Sequence, residues 1–341
     1  MSGVASRVPK ATILAVDDEP QLLKIMAWDL TALGFRVVTA SDPSIALAML
    51  EVRNFDGVVA DLRLPMPGGR VFAASAAVTA PHTPVLVITG EDSLRSIQDM
   101  LGNVPVDGLV PKPYTPAVLA RAIERALLQR RSAGILAESE ARLIADGLVR
   151  GLALRDIETE NHSRRVSAWA RLLGAQLGLA GDDLLQCELG ALLHDVGKIG
   201  VPDAILHKPA KLTEQEWVEM RKHPGYGREM VAGIPRLKGA SHVVYCHHER
   251  WEGGGYPRGL KGDRIPIGAR IFAVVDTYDA MTSDRVYRKG LPHETAVEEI
   301  RRLAGIQYDP QVVGAFLAMD QREWQAVRRR FKDDPIETVA A

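Results

Sequence analysis

Two patterns of apolar and polar residues divide the chain. Up to about residue 130, short apolar runs rich in β-branched residues recur: TILAV (12–16), RVVTA (36–40), GVVA (57–60), PVLVIT (84–89) and DGLV (107–110). Segments of helical length follow these runs, beginning near Gln21, Ser44, Gly69, Ser93 and Thr115. Five such strand–helix pairs predict an α/β domain, a doubly wound five-stranded parallel sheet with helices on both faces.

The rest of the chain has a helical pattern. Apolar spacing from about 119 to 150 predicts one extended helix, and no proline occurs between Pro116 and Pro202. Beyond this helix there is hardly any strand signal, which predicts an all-α second domain. We therefore expect a first domain at 1–128, a linker helix at 129–150 and a helical domain at 151–335.

Composition narrows the class of protein. Of 341 residues, 46% are hydrophobic and 25% charged, and the formal net charge is -1. This balance is that of a globular protein without the basic excess of a nucleic-acid coat or a membrane-surface binder. Cys187 and Cys246 form neither a disulfide framework nor a metal-type spacing, and the sequence shows no apolar leader and no run of membrane-spanning length. We expect a cytoplasmic protein without a membrane span.

Polar residues suited to phosphoryl chemistry stand at the predicted strand ends. Asp17 and Asp18 follow the first strand, Asp61 the third and Lys112 the fifth, and Thr89 closes the fourth. The carboxyl ends of parallel strands share one edge, where clustered carboxylates repel one another unless a cation such as Mg²⁺ joins them. A carboxylate beside Mg²⁺ can accept a phosphoryl group, whose oxygens a hydroxyl and an ammonium then bind.

The motifs around these residues resemble the receiver domain of two-component response regulators. They read VDDEP, VVADLRLPMPGG, VLVITG and LVPKPYTP. The resemblance implies that Asp61 is the phosphoacceptor, that Asp17 and Asp18 bind Mg²⁺, and that Thr89 and Lys112 complete the switch. It also implies a sensor histidine kinase as partner.

A second group of residues mixes imidazoles with carboxylates. Eight of the nine histidines fall between His162 and His293. Glu158 and His162, four apart, share one helix face, and the adjacent pairs His194-Asp195 and His247-His248, which we predict on helices, could each serve two neighbouring metals. Such mixed ligands suit Fe, Mn, Zn or Co, and two ions can clamp a phosphoryl group.

These segments resemble the HD superfamily of metal-dependent phosphohydrolases, and within it the HD-GYP subfamily. The resemblance rests on LLHDVGKIGVP, HHERWEGGGYPRGLKGDRIP and SDRVYRKG, and it spans about 150 to 318. It implies hydrolysis of cyclic di-GMP to pGpG, in some members onward to GMP, at two or three iron or manganese ions. The residues that fall on metal-ligand positions are Glu158, His162, His194, Asp195, His223, His247, His248 and Asp276.

The same resemblance implies roles around the metals. Asp195 and Lys198 would be catalytic, with Lys198 stabilising charge on the phosphate. The residues expected to contact the substrate are Lys198, Gly255, Tyr256, Pro257, Arg285 and Arg288.

The two halves together suggest a phosphodiesterase under receiver control that dimerises through its linker helix. One alternative is an HD-type hydrolase of another nucleotide. A second is a non-catalytic regulator that binds cyclic di-GMP or a protein. Direct DNA binding is not expected, because the second half carries a metal-type motif set in place of a basic recognition helix.

Overall fold

A computed structural model of the chain describes residues 8–65, 68–90, 104, 106–155, 160–284 and 289–332. The chain divides into two compact units, Met1–Leu136 and Ala137–Ala341. Each unit is described by itself below.

The first unit contains the predicted sheet. Its parallel strands lie in the order β2-β1-β3-β4-β5 and are β1 Thr12–Val16, β2 Arg36–Ala40, β3 Gly57–Asp61, β4 Val85–Thr89 and β5 Gly108–Pro111. The first helices are α1 Pro20–Ala32, α2 Pro43–Val52 and α3 Gly69–Thr79. The α/β fold class is confirmed, whereas the helix predicted near Ser93 lies outside the described residues.

Alternating side chains explain why the sheet is covered on both faces. Leu14 and Val58 pack on one side with Phe72 of α3, whereas Ile13 and Val59 pack on the other. Both sets are buried, so the strands read as continuous apolar runs. The polar residues that follow these runs are therefore left at the strand ends, where the first site forms.

The extended helix is longer than its sequence pattern suggests. Helix α4 runs from Pro116 to Ala153 and comprises 38 residues. Leu119 and Ile123 belong to the apolar core of the first unit, and Ala145 and Val149 belong to a core of the second. Because the units divide within this helix, the linker at 129–150 stays a prediction.

Helices dominate the second unit, in agreement with the expected helical domain. They are α5 Glu160–Gln176, α6 Gly181–Leu192, α7 Asp203–Leu206, α8 Glu214–Met220, α9 His223–Ala232, α10 Ala240–Cys246, α11 Ile267–Thr282, α12 His293–Arg302, α13 Pro310–Ala318 and α14 Gln321–Arg330, with short 3-10 helices at Val196–Gly200, Pro235–Leu237 and Gly262–Arg264. Trp169, Tyr278 and Trp324 form an aromatic cluster in its core. None of the described helices has the length and apolar character needed to cross a membrane.

Candidate metal centre and phosphoacceptor site

The first site lies at the carboxyl edge of the sheet. Asp61 ends β3, and its Oδ2 lies 2.5 Å from Nζ of Lys112, which follows β5. The same Nζ lies 3.8 Å from Oδ2 of Asp17, the residue after β1. Thr89 ends β4, and its carbonyl oxygen accepts a hydrogen bond from the Lys112 N–H at 2.7 Å. The sheet thus brings these four residues to one edge.

Asp17 has the character of a ligand for a hard cation. Its Oδ1 accepts a hydrogen bond from the N–H of Glu19 at 2.9 Å. Its buried Oδ2 has no hydrogen-bond partner among the described residues. Burial raises the pKa of Asp17, and the carboxylates of Asp61 and Asp18 raise it further. A buried carboxylate oxygen without a hydrogen-bond partner is a suitable ligand for Mg²⁺, which is bound by oxygen atoms.

The second site forms where helices end. The sequence predicts both adjacent pairs on helices, and this prediction is wrong. His194-Asp195 lies in the turn after Leu192 of α6, and His247-His248 lies in the turn after Cys246 of α10. The last carbonyls of a helix have no N–H partner within it, so they are open to side-chain donors.

Three histidines use these carbonyls in the same way. Nδ1 lies within hydrogen-bond distance of the carbonyl oxygen three residues earlier: 3.0 Å for His194, 2.8 Å for His223 and 2.7 Å for His247. A carbonyl oxygen can only accept, so Nδ1 carries the proton. In the neutral imidazole, Nε2 then keeps its lone pair, and the ring orientation is fixed.

The three Nε2 atoms converge on Asp195. They lie 3.0, 3.3 and 3.8 Å from its carboxylate oxygens for His194, His223 and His247. Nζ of Lys198 lies 2.9 Å from Oδ2 of the same residue. Burial opposes ionisation of Asp195, but the adjacent His194 imidazole and the Lys198 ammonium outweigh it and hold the pKa well below its usual value. Asp195 is therefore an anion among potential ligands.

The donor set fits a divalent metal ion. Ligand atoms of Asp195, His223, His247 and His248 lie within 4.8 Å of one another. Burial and neighbouring histidines hold the pKa of His247 well below its usual value and lower that of His248 to about 3. Nε2 of His223 nevertheless lies 3.2 Å from Nε2 of His247. Metal–nitrogen bonds of about 2.1 Å place two ligands of one ion roughly 3.0–3.4 Å apart, so this spacing fits two ligands of one cation.

Two further predicted residues extend the donor set. Nε2 of His162 in α5 lies 3.5 Å from Oδ1 of Asp276 in α11. The His162 ring meets that of His194 edge to face, with centroids 5.5 Å apart. Burial raises the pKa of Asp276, against the charges of the two histidines. These side chains could hold an additional ion beside Asp195.

Asp279 and Arg165 also belong to this site, and the sequence reasoning missed them. Nδ1 of His162 lies 2.8 Å from Oδ2 of Asp279, and the Asp279 carboxylate accepts hydrogen bonds from Arg165 at 2.7 Å through Oδ1 and at 2.9 Å through Oδ2. Burial works against the charge, but the hydrogen bonds from His162 and Arg165 lower the pKa of Asp279 to about 2. Their spacing in the sequence was the signal that could have found them. Arg165 follows the candidate ligand His162 by three positions on a helix, and Asp279 follows Asp276 by three, so each lies on the same helix face as a candidate ligand.

The loop after His248 packs closely against the site. The Tyr256 ring stacks on the His248 ring, with centroids 4.5 Å apart and planes 25° apart. Buried Glu249 accepts hydrogen bonds from the N–H groups of Arg258 and Leu260 at 2.8 and 2.9 Å. A Cβ on Gly255 would lie 2.5 Å from Cα of Glu249. Glycine is therefore required here by the close approach of two backbone segments.

Comparisons with known proteins match both parts of the chain. The model of the response regulator receiver domain matches residues 13–124, and an HD domain model matches 148–312. A cyclic di-GMP phosphodiesterase of Thermotoga maritima is 32% identical over 349 residues, covering 95% of this chain and 94% of that protein. The chain belongs to the response regulators that join a receiver domain to an HD domain.

Further relatives of this response regulator differ in the substrate that their names give. The cyclic di-GMP phosphodiesterase response regulator RpfG of Xanthomonas campestris pv. campestris is 34% identical over 331 residues, 89% of this chain and 86% of its own length. The 3'3'-cGAMP-specific phosphodiesterase 2 of Vibrio cholerae is 38% identical over 184 residues, 53% of this chain and 35% of that protein. The receiver domain of the response regulator implies a histidine kinase as partner.

Three predicted site residues of the response regulator cannot be placed. Glu158, Arg285 and Arg288 lie outside the described residues. Their roles stay predictions. Gly255, Tyr256 and Pro257 lie in the loop that packs against His248, as described above.

We expect Asp279→Ala to destabilise the HD domain of this response regulator strongly. The change leaves the buried Arg165 guanidinium without its carboxylate, and breaking a buried ion pair in this way costs about 3–5 kcal/mol. Urea unfolding measures the loss. Glu299→Ala is the control, because its pair with Arg302 lies at the surface and contributes little. Equal effects of the two changes would contradict the prediction.

A second expected result concerns the loop. Gly255→Ala should lower stability by about 1–3 kcal/mol, because the added methyl group meets backbone atoms that cannot yield. Hydrolysis by the HD domain should fall as well, since Tyr256 is displaced. Gly225→Ala in α9 is the matched control, with no heavy atom within 4 Å of its Cβ. Thermal unfolding measures the stability of both variants. A Gly255→Ala protein as stable as this control would show that the backbone does not require glycine at position 255.

Proposed function

We propose that this protein hydrolyses cyclic di-GMP to pGpG and that phosphorylation of Asp61 controls the reaction. The main support is the convergence of imidazole nitrogens on an ionised carboxylate, with Asp195 and His223 at its centre. Two relatives that align with most of this chain are named as cyclic di-GMP phosphodiesterases. Both alignments are long enough to include the receiver and the HD domain of this chain, which supports the same link between a receiver and a hydrolase here.

We assign metal binding to the mixed cluster of the HD domain. Its proposed members are Glu158, His162, His194, Asp195, His223, His247, His248 and Asp276. Imidazole mixed with carboxylate favours iron or manganese, in two or three ions. When bound, these ions would polarise the scissile phosphate and make water a better nucleophile at neutral pH. In the receiver, we assign Mg²⁺ to Asp17, Asp18 and Asp61.

The remaining side chains would bind and orient the substrate. The Lys198 ammonium, 2.9 Å from Asp195, places a positive charge beside the cluster, where it can offset charge on a phosphate oxygen. Tyr256 stacked on His248 presents an aromatic surface next to the ligands. We keep Arg285 and Arg288 as proposed phosphate contacts, because the Arg fork suits phosphate oxygens.

The test is a product assay with the full chain. Protein purified without oxygen is loaded with Mn²⁺ or Fe²⁺, incubated with cyclic di-GMP and analysed by chromatography. We expect pGpG, and a later GMP peak would show that hydrolysis continues. No product from metal-loaded protein, with and without acetyl phosphate, would contradict the proposal and favour a non-catalytic regulator.

A second candidate substrate has its own support. The relative named for 3'3'-cGAMP is 38% identical across the part of the chain that it matches. The same assay with 3'3'-cGAMP separates the two functions. A higher kcat/KM for cyclic di-GMP supports the main proposal, and a higher value for 3'3'-cGAMP replaces it with an HD-type hydrolase of another nucleotide.

We further propose that two copies of the chain pair through α4. Four of its large apolar side chains, Leu128, Ile135, Leu136 and Leu143, are 66% to 71% exposed. Leu128 and Ile135 are seven residues apart, as are Leu136 and Leu143, so the four side chains form a stripe on one face of the helix that a second helix could cover. The expected occupant of the stripe is therefore the same helix of a second copy.

Leu136→Arg combined with Leu143→Arg should shift the protein from dimer to monomer. Arginines in the stripe of one copy would repel those of the second copy, and burying their charges between the two helices would cost free energy. Sedimentation velocity measures the change. Val78→Arg on α3 is the control, because this valine is also exposed but lies outside the stripe. A monomeric wild type, or a dimer that survives both changes, would rule out pairing through α4.

A further inference from the structure

Arg221 lies next to the metal cluster, although it belongs to none of the motifs discussed so far. It follows α8 directly and precedes His223 by two residues. Its Cζ lies 5.6 Å from the ring centroid of Tyr256 and 5.9 Å from that of Trp217. Because Tyr256 stacks on His248, only one side chain separates Arg221 from a proposed metal ligand.

The hydrogen-bonding capacity of this guanidinium is unused within the described part of the chain. The nearest acidic neighbour on its helix, Glu219, is bound to Lys222 at 2.5 Å and to the Tyr226 hydroxyl at 3.0 Å. By contrast, Arg142 and Arg165 each form a bidentate pair with a carboxylate. Arg221 therefore keeps its N–H donors for another partner, and two aromatic rings lie beside its guanidinium.

We propose that Arg221 recognises a guanine base of the substrate. Guanine presents two acceptors side by side, O6 and N7, which match two parallel N–H donors of an arginine. Adenine presents one acceptor and one donor at the same edge, so it cannot accept both bonds. The inference rests on the proposed function and adds the group that distinguishes the base of the dinucleotide.

The surroundings favour a base over a phosphate as the partner. A phosphate is satisfied by charge and N–H donors, whereas a base also stacks on a flat apolar surface beside the donors. Trp217, 46% exposed, offers that surface next to Arg221. Lys198 and the metal ligands around Asp195 are already assigned to the phosphate under attack. Arg221 and Trp217 together therefore form a contact suited to a purine.

The test measures how well two cyclic dinucleotides inhibit hydrolysis of bis(p-nitrophenyl) phosphate, which carries no purine. The ratio of the inhibition constants for cyclic di-AMP and cyclic di-GMP does not depend on turnover. We expect Arg221→Ala to lower this ratio by about tenfold to a hundredfold, the usual value of a bidentate guanine contact. Arg221→Gln should lower it further, because glutamine pairs with the adenine edge.

A matched control comes from the same domain. Arg228 stacks on Tyr245 at 4.5 Å, so Arg228→Ala also removes an arginine from an aromatic ring. We expect this variant to keep the wild-type ratio. If Arg221→Ala weakens both dinucleotides equally, or leaves the ratio unchanged, the assignment to guanine is wrong.

The result separates this inference from the proposed function. A wild type that hydrolyses the reporter but not cyclic di-GMP contradicts the proposed function, and the ratio still tests Arg221. Hydrolysis of cyclic di-GMP with an unchanged ratio contradicts the Arg221 assignment alone. For a protein that hydrolyses neither compound, calorimetric titration of the same variants gives the corresponding ratio of dissociation constants.

Discussion

Asp195→Asn should abolish phosphodiesterase activity and metal binding together. The carboxylate is the centre on which three Nε2 atoms converge, and an amide has no charge to balance a cation there. Metal ions contribute several kcal/mol of transition-state stabilisation, and about 4 kcal/mol corresponds to a fall in kcat on the order of 10³-fold. Product chromatography measures turnover, and elemental analysis measures the metals retained.

Thermal unfolding gives a readout that does not depend on catalysis. A ligand that binds only the folded protein stabilises it by about 2.7 kcal/mol at a hundred times its Kd. Mn²⁺ should therefore raise the Tm of the HD-domain transition in the wild type but not in Asp195→Asn, whose receiver cation site is unchanged. The exposed Asp263 supplies the control, and Asp263→Asn should keep both the Tm rise and the turnover. Retention of metal and activity by Asp195→Asn would show that the cluster is not the active site.

Most of the fold could be predicted because each element carries a local signal. The central strands β1, β3 and β4 of the receiver are buried on both faces, so they stand out as apolar runs such as PVLVIT before Gly90. The long helix α4 is free of internal proline. Strand-end residues such as Asp61 follow from the parallel topology, since all strands end at one edge. The bounds of these elements agree with the sequence pattern within a few residues.

The details of the metal centre needed three-dimensional information. The sequence pattern predicts His194-Asp195 within a helix. In the structure the helix ends before this pair, and only for that reason can Nδ1 of His194 reach the carbonyl oxygen of Ala191. Arg165 and Asp279 are 114 residues apart in the chain, so their ion pair depends on how α5 and α11 pack. Periodicity describes one helix at a time and cannot show such a pair.

Asp61→Asn should remove phosphorylation of the receiver completely. Asparagine has nearly the shape of aspartate, but its amide is not a nucleophile toward a phosphoryl group. The partner of Asp61, the Lys112 ammonium at 2.5 Å, remains in place. Acetyl phosphate with Mg²⁺ should label the wild type with an acid-stable, base-labile phosphoryl group and leave Asp61→Asn unlabelled, as resolved by phosphate-affinity electrophoresis.

Asp42→Asn is the matched control for this prediction. Asp42 caps α2 through hydrogen bonds at 2.7 and 3.2 Å, and asparagine caps a helix about as well as aspartate. This variant should accept phosphate like the wild type. Any change that acetyl phosphate causes in cyclic di-GMP hydrolysis should persist in Asp42→Asn and disappear in Asp61→Asn. Hydrolysis that is the same with and without phosphorylation of Asp61 would contradict control by the receiver and leave the hydrolase itself in place, because the metal cluster lies in a different unit.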